Sequence, residues 1–139
     1  MTGVGSARLS GKCLCGAVAF EAARERDRLD ACHCALCRRW SGHYWASVNV
    51  RRETVKFLRG EEKIGWHRSS AHVRRGFCTE CGSALFWQPD LHPEHSHIFA
   101  ISAGSLDAPT GLTLSEHIFV GEKGDYYAIA DGLAQRPGH

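Results

Sequence analysis

Cys78-Thr79-Glu80-Cys81-Gly82 is the stretch that decides how this chain folds. A CxxC turn can aim two sulfurs at one ion about 2.3 Å away, with N–H groups of the turn stabilising the thiolates. Gly82 permits the positive φ that closes such a turn. Two sulfurs are half of a tetrahedral set, so the stretch needs partners elsewhere in the chain. Five further cysteines are available: Cys13 and Cys15 as CxC ahead of Gly16, and Cys32, Cys34 and Cys37 as CHCALC. The spacing joins Cys13, Cys15, Cys78 and Cys81 into a closed four-thiolate site, the set that structural zinc prefers. Cys32, Cys34 and Cys37 then make a three-thiolate site with an open position, as reactive zinc sites have. Two Zn²⁺ per chain are therefore expected, one structural and one labile.

Other readings of the same residues stay open on spacing alone. A disulfide framework fits poorly, because the cysteine count is odd and cysteines two positions apart bridge only with strain. A single zinc site would leave the remaining thiols free or redox-active. His33 and His43 are possible fourth ligands of the three-cysteine site, although His33 alternates with its ligating neighbours and is expected to point away. His92, His95 and His97 read as a polar loop, with metal binding as the alternative, and His117 reads as packed. No paired carboxylates at catalytic spacing and no phosphate-cradling loop appear; Gly3-Val4-Gly5 carries no useful signal.

Composition sets the frame for these sites. The 139 residues, 43% hydrophobic, predict one zinc-binding domain over 1–139 with its core at about 8–133. Seventeen basic and fifteen acidic side chains leave a formal +2, without the clustered excess that a nucleic-acid face requires. The pairs Arg38-Arg39, Arg51-Arg52 and Arg74-Arg75 read as solvated strand and turn faces. No signal-peptide run and no stretch of ~20 apolar residues is visible, so a cytoplasmic protein with no membrane partner is expected. In that reducing compartment cysteines serve as ligands or nucleophiles more often than as disulfides.

Short apolar segments at 17–20, 44–48, 55–58, 84–87 and 97–101, flanked by turn residues, read as strands. One helical turn is expected after Cys34 and another near Leu114–His117. Trp40, Trp45, Trp66 and Trp87 read as core or pocket walls. The fold class predicted is mostly β: an irregular, largely antiparallel domain stapled by zinc.

Three motifs resemble a known family: Gly11-Lys12-Cys13-Leu14-Cys15-Gly16-Ala17-Val18, Cys32-His33-Cys34-Ala35-Leu36-Cys37-Arg38 and Phe77-Cys78-Thr79-Glu80-Cys81-Gly82-Ser83. They are similar to those of the glutathione-dependent formaldehyde-activating enzymes, a family that includes the centromere protein V type proteins. Ala103-Gly104-Ser105-Leu106-Asp107, Glu116-His117-Ile118-Phe119 and Asp131-Gly132-Leu133 look like its later signatures. Ala134 and Tyr126-Tyr127 stand where such proteins often carry proline and tryptophan. The resemblance implies an Mss4-like fold and the same four-plus-three division of cysteines. It also implies a carbon–sulfur lyase, in which the thiol of glutathione adds to formaldehyde to give S-hydroxymethylglutathione. Cys32, Cys34 and Cys37 would be the catalytic set, binding the thiol at the open zinc position, with Arg38, Arg39, Trp40, Ser41 and Gly42 framing the pocket. The alternative is a non-catalytic zinc module for a protein or nucleic-acid partner.

Overall fold

The computed structural model describes residues 8–139, so Gly3-Val4-Gly5 and the rest of the extreme N-terminus lie outside the described residues. The chain runs through β1 (Arg8–Lys12), β2 (Ala19–Ala23), β3 (Arg28–Cys32), helix α1 (Ala35–Ser41), β4 (Trp45–Arg51) and β5 (Lys56–Arg59). It continues through β6 (Ile64–Arg68), β7 (Arg74–Cys78), β8 (Ala84–Gln88), β9 (Ile98–Ser102), β10 (Thr113–Ile118) and β11 (Ala134–Gln135). A three-stranded sheet has the order β1-β2-β5, and an eight-stranded sheet the order β11-β10-β3-β4-β9-β8-β7-β6. All pairings are antiparallel except those of β10, which runs parallel to both β3 and β11. This is the mostly β, Mss4-like arrangement that the sequence leads one to expect.

The core forms where the two sheets meet. Strand β9 sits mid-sheet, and Phe99, Ala100 and Ile101 are buried in succession, as a strand covered on both faces requires. Phe20 from the small sheet meets Phe86 of β8 edge-on, with ring centroids 5.0 Å apart. Phe86 in turn lies 4.9 Å from Phe99, and Val18, Val48 and Leu85 fill the space around them. Trp66 packs at the edge of this cluster.

Two local departures from the sequence reading matter for the site. The helix after Cys34 has seven residues rather than a single turn. The Cys34 side chain caps it by accepting the Cys37 N–H at 3.3 Å, and Gly42, at φ 93°, ends it by donating to the Arg38 carbonyl. Leu114–His117 is not helical but the centre of β10. So short a segment forms hardly any internal helical hydrogen bonds, whereas the edge of β3 offers a full ladder. That pairing sets His117 opposite Ala31 and Ile118 opposite Cys32, bringing the C-terminal third of the chain to the second cysteine cluster. No helix among the described residues is long and apolar enough to cross a membrane.

Gly60 shows how closely the small sheet is packed. Its φ is 76°, and a Cβ there would lie 1.9 Å from the Ala17 carbonyl oxygen. We expect Gly60→Ala to lower unfolding stability by about 2 kcal/mol or more, through both strain and overlap. The urea midpoint measures this, and an unchanged midpoint would show that the Ala17 loop yields freely.

Candidate metal centre

The turn between β1 and β2 carries Cys13 and Cys15, and the knuckle that begins on the last residue of β7 carries Cys78 and Cys81. All four sulfurs lie within 4.8 Å of one another. Cys15 Sγ is 3.7 Å from that of Cys13 and 3.9 Å from that of Cys78. A tetrahedral ion with ligands at about 2.3 Å separates its sulfurs by about 3.8 Å, so the cluster already has the dimensions of a filled site. Backbone donors surround it: Val18 N–H points to Cys13 Sγ at 3.3 Å, and the Glu80 and Cys81 N–H groups point to Cys78 Sγ at 3.3 and 3.4 Å. Gly82 has the positive φ, 81°, that its position requires. Ser83 links the two turns, accepting Leu14 N–H at 2.9 Å and lying 3.2 Å from Cys81 Sγ. That hydroxyl contact is the main reason the Cys81 thiol falls to about 6. The chemistry and spacing of the donor set therefore fit a divalent ion such as zinc.

Cys32 ends β3, Cys34 caps α1 and Cys37 lies in its first turn, and their sulfurs also lie within 4.8 Å of one another. Hydrogen bonds from the Cys32 and Cys37 thiols pull the Cys34 pKa down to about 2, while that of Cys32 is driven far up by its role as donor to Cys34. Three thiolates this close repel one another, so holding all three ionised requires a cation. Trp40, Trp45, Trp87 and Ala100 wall the cluster.

Arg75 also reaches this cluster, and it is not the solvated member of an arginine pair that the sequence suggests. It is 4% exposed rather than solvated. Its Nη1–H points at Cys37 Sγ from 3.4 Å, its Nε–H donates to Ser69 Oγ at 3.0 Å, and its guanidinium lies 5.1 Å from the Trp40 ring centre. The alternation of β7 gave the only available signal, since it turns Arg75 to the face opposite Arg74.

His33 does point away from the sulfurs, and both its nitrogens are engaged. Its Nε2 is 2.8 Å from His117 Nδ1, and its Nδ1 is 2.6 Å from the Tyr127 hydroxyl. His117 Nε2 lies 2.8 Å from Asp131 Oδ2. The proton positions follow from one end. A carboxylate only accepts, so His117 carries a proton on Nε2, and as a neutral imidazole it accepts at Nδ1. His33 therefore donates from Nε2 and accepts the Tyr127 O–H at Nδ1, and the Tyr127 oxygen accepts Gly124 N–H at 3.2 Å. Burial, foremost, pushes His33 down to about 4, and burial also raises the Tyr127 pKa. Both shifts agree with a neutral His33 and a neutral Tyr127 in that chain. His117, read as packed, is thus also a link in that chain.

The other singled-out residues are spread more widely. Arg38 Nε–H is shared between the His33 and Glu122 carbonyls at 3.2 and 3.1 Å, tying α1 to the loop after β10. Arg39 is exposed, and Ser41 Oγ lies 2.8 Å from the Cys37 carbonyl and 2.7 Å from that of His43. His43 Nδ1 is 2.7 Å from the Tyr126 hydroxyl. His92, Glu94 and His95 form a third group within 4.8 Å, but His92 Nδ1 accepts the N–H groups of Glu94 and His95 at 3.0 and 3.2 Å. A neutral ring accepting there carries its proton on Nε2, so no lone pair is left for an ion. Pairing of β3 with β10 sets Asp30 opposite Glu116. That carboxyl pair is not visible in the linear sequence; burial, then Glu116, raises the Asp30 pKa.

Comparison with known proteins adds a consistent set of likenesses. Residues 8–122 match the family described as glutathione-dependent formaldehyde-activating enzyme. A Schizosaccharomyces pombe protein described as an uncharacterized lyase is 28% identical over 122 residues, covering 87% of this chain and 85% of its own. A Halomonas elongata protein that carries the glutathione-dependent formaldehyde-activating name is 30% identical over 108 residues, 73% of this chain and 68% of its own. A Rhodobacter sphaeroides crystal structure shares the fold, with TM-score 0.61 and 22% identity over 76% of this chain and 99% of that one.

The histidine chain makes its own prediction. His117→Leu leaves the buried His33 Nε2–H without an acceptor, which should cost about 1–3 kcal/mol. His117→Asn, which retains an acceptor, should recover part of that loss. Urea unfolding of the metal-loaded protein measures both, and a His117→Leu variant as stable as the parent would contradict the proton assignment.

Proposed function

Because the chain belongs to the glutathione-dependent formaldehyde-activating enzyme family, we propose that it adds a thiol of the glutathione class to formaldehyde at Cys32, Cys34 and Cys37. The reaction forms one S–C bond and opens the carbonyl π bond, and the thiol proton ends on the former carbonyl oxygen, giving an S-hydroxymethyl adduct. We assign one zinc ion to this centre and one, structural, to Cys13, Cys15, Cys78 and Cys81. The observation that carries the reading is the donor count at the first centre. Three sulfurs converge there with no histidine or carboxylate among them in the described residues. Of the two candidate fourth donors, His33 has both nitrogens committed to His117 and Tyr127, and His43 has its Nδ1 against the Tyr126 hydroxyl. The fourth position thus belongs to an incoming ligand.

Zinc bound there supplies a positive charge that favours the thiolate form of the substrate near neutral pH. The chain's residues hold and enclose that position. Cys34 and Cys37 are fixed by the first turn of α1, Cys32 by its pairing with Trp45 across β3 and β4, and the tryptophans keep water from one side. Thiol and aldehyde already react in water, so positioning and charge stabilisation are the main contributions required. Arg39, exposed on α1, is the cation we assign to a carboxylate of the thiol substrate, since Arg38 is engaged by backbone carbonyls. Seven unpaired cysteines suit a reducing compartment, and we place the protein in the cytoplasm.

Proton NMR of formaldehyde consumption with glutathione tests the reading. Zinc-loaded protein should accelerate adduct formation over buffer, and Cys34→Ala should lose at least about ten-fold of that acceleration while keeping the four-cysteine ion. No acceleration by the zinc-loaded parent would overturn the proposed activity.

A further inference from the structure

Arg75 is a buried cation, and among the described residues no carboxylate forms an ion pair with it. A buried charge is strongly unfavourable unless it is compensated. The anionic group within reach is the thiolate cluster, contacted through Cys37 Sγ at 3.4 Å. A buried donor without a partner belongs to the same cluster. Trp45, 5% exposed, has an indole Nε1–H with no hydrogen-bond partner among the described residues. In the register of β3 and β4, Trp45 is directly opposite Cys32. Directly paired residues in antiparallel strands project from the same face, and Trp45 belongs to the cluster containing Cys37.

We propose that Arg75 and Trp45 make the fourth position of the three-cysteine centre selective for an anionic ligand, a thiolate, over a neutral one. The inference rests on the zinc assignment made above. Three thiolates, one divalent ion and the guanidinium sum to zero, so an arriving thiolate raises the buried charge only to −1. Without Arg75 the same step would run from −1 to −2 in surroundings of low dielectric, where each added like charge is costly. A neutral ligand leaves the charge unchanged in either case. Arg75 therefore discriminates by charge, and the Trp45 N–H adds a donor that an anion fills better than a neutral group does. Contact of the guanidinium with Cys37 has a second effect: it withdraws electron density from a protein sulfur, so that the incoming thiolate, not Cys37, is the better nucleophile.

The test is a ligand titration of the full chain loaded with cobalt(II), followed by the sulfur-to-cobalt charge-transfer band. One series uses 2-mercaptoethanol as the anionic probe and a parallel series uses imidazole as the neutral probe. Arg75→Met should weaken thiol binding by roughly ten-fold or more, with imidazole affinity unchanged within about two-fold. Arg75→Lys, which keeps the charge but not the planar fork, should restore part of the thiol affinity. Trp45→Phe, which removes only the N–H, should weaken the thiol alone by about five-fold. The absorption of the four-thiolate site reports whether each variant is folded, and Trp45→Phe decides the matter should Arg75→Met not fold. Equal loss of both probes would reduce Arg75 to a scaffold role and overturn the proposal, as would a thiol-to-imidazole affinity ratio unchanged from the parent. The titration reads binding only, so a parent protein without formaldehyde turnover would remove the proposed reaction and leave this selectivity standing.

Discussion

Four sulfurs from two turns, Cys13 and Cys15 on one side and Cys78 and Cys81 on the other, meet at distances suited to a single tetrahedral ion. The turns are more than sixty residues apart in sequence, and bringing them together costs loop-closure entropy that nothing local repays. What makes the closure favourable on the proposed reading is the ion, whose binding free energy becomes folding free energy. The consequence is spatial. The first turn belongs to the small sheet and the second to the far end of the large one, so an ion held there would pin the two sheets together over the Phe20, Phe86 and Phe99 cluster. A chain of this size has a modest core, and a cross-link at that point holds its layers in register.

The second cysteine cluster depends on a different kind of support. Cys32 leaves a strand and Cys37 enters a helix, and the direction change between them is made in the space of His33 and Cys34. His33 is the anchor of that bend. Its ring is buried, neutral and bonded at both nitrogens, so the residue between the two cysteines is fixed on the side away from the sulfurs. The partners come from β10 and the C-terminal segment, which is why the last third of the chain is necessary to a site formed by residues 32–37. Arg38, clasping the His33 and Glu122 carbonyls, reinforces the same junction from the helix.

Much of this was legible in the sequence, and the reasons differ residue by residue. Cysteine spacing is a direct statement about chelation, so both clusters could be read from CxC, CxCxxC and CxxC before any fold was known. Strands β4, β8 and β9 were readable because their apolar runs are short and rich in β-branched or aromatic residues. Leu114–His117 was misread because a four-residue apolar–polar segment carries no usable period; the deciding factor was the open edge of β3, which is tertiary. The His33, His117, Asp131 and Tyr127 chain has no linear signature, since its members are dispersed over about a hundred positions. Arg75 was hidden for another reason: beside Arg74 it resembles a solvated pair, and only strand alternation separates the one stacked on Trp66, at 4.0 Å, from the one buried against a thiol. Tyr126 and Tyr127, where the resemblance leads one to expect tryptophan, fall in the aromatic cluster around His43 and His33, so that departure alters the surroundings of the site and not its sulfurs.

The seven cysteines divide into a closed set of four and an open set of three. X-ray absorption at the zinc edge of the zinc-loaded protein, with and without a thiol, tests this division most directly. Two ions per chain are expected, one surrounded by four sulfurs and one by three sulfurs and a lighter atom, which the thiol replaces with a fourth sulfur. A single ion per chain, or a histidine nitrogen bound directly to the second ion that added thiol does not displace, would contradict it.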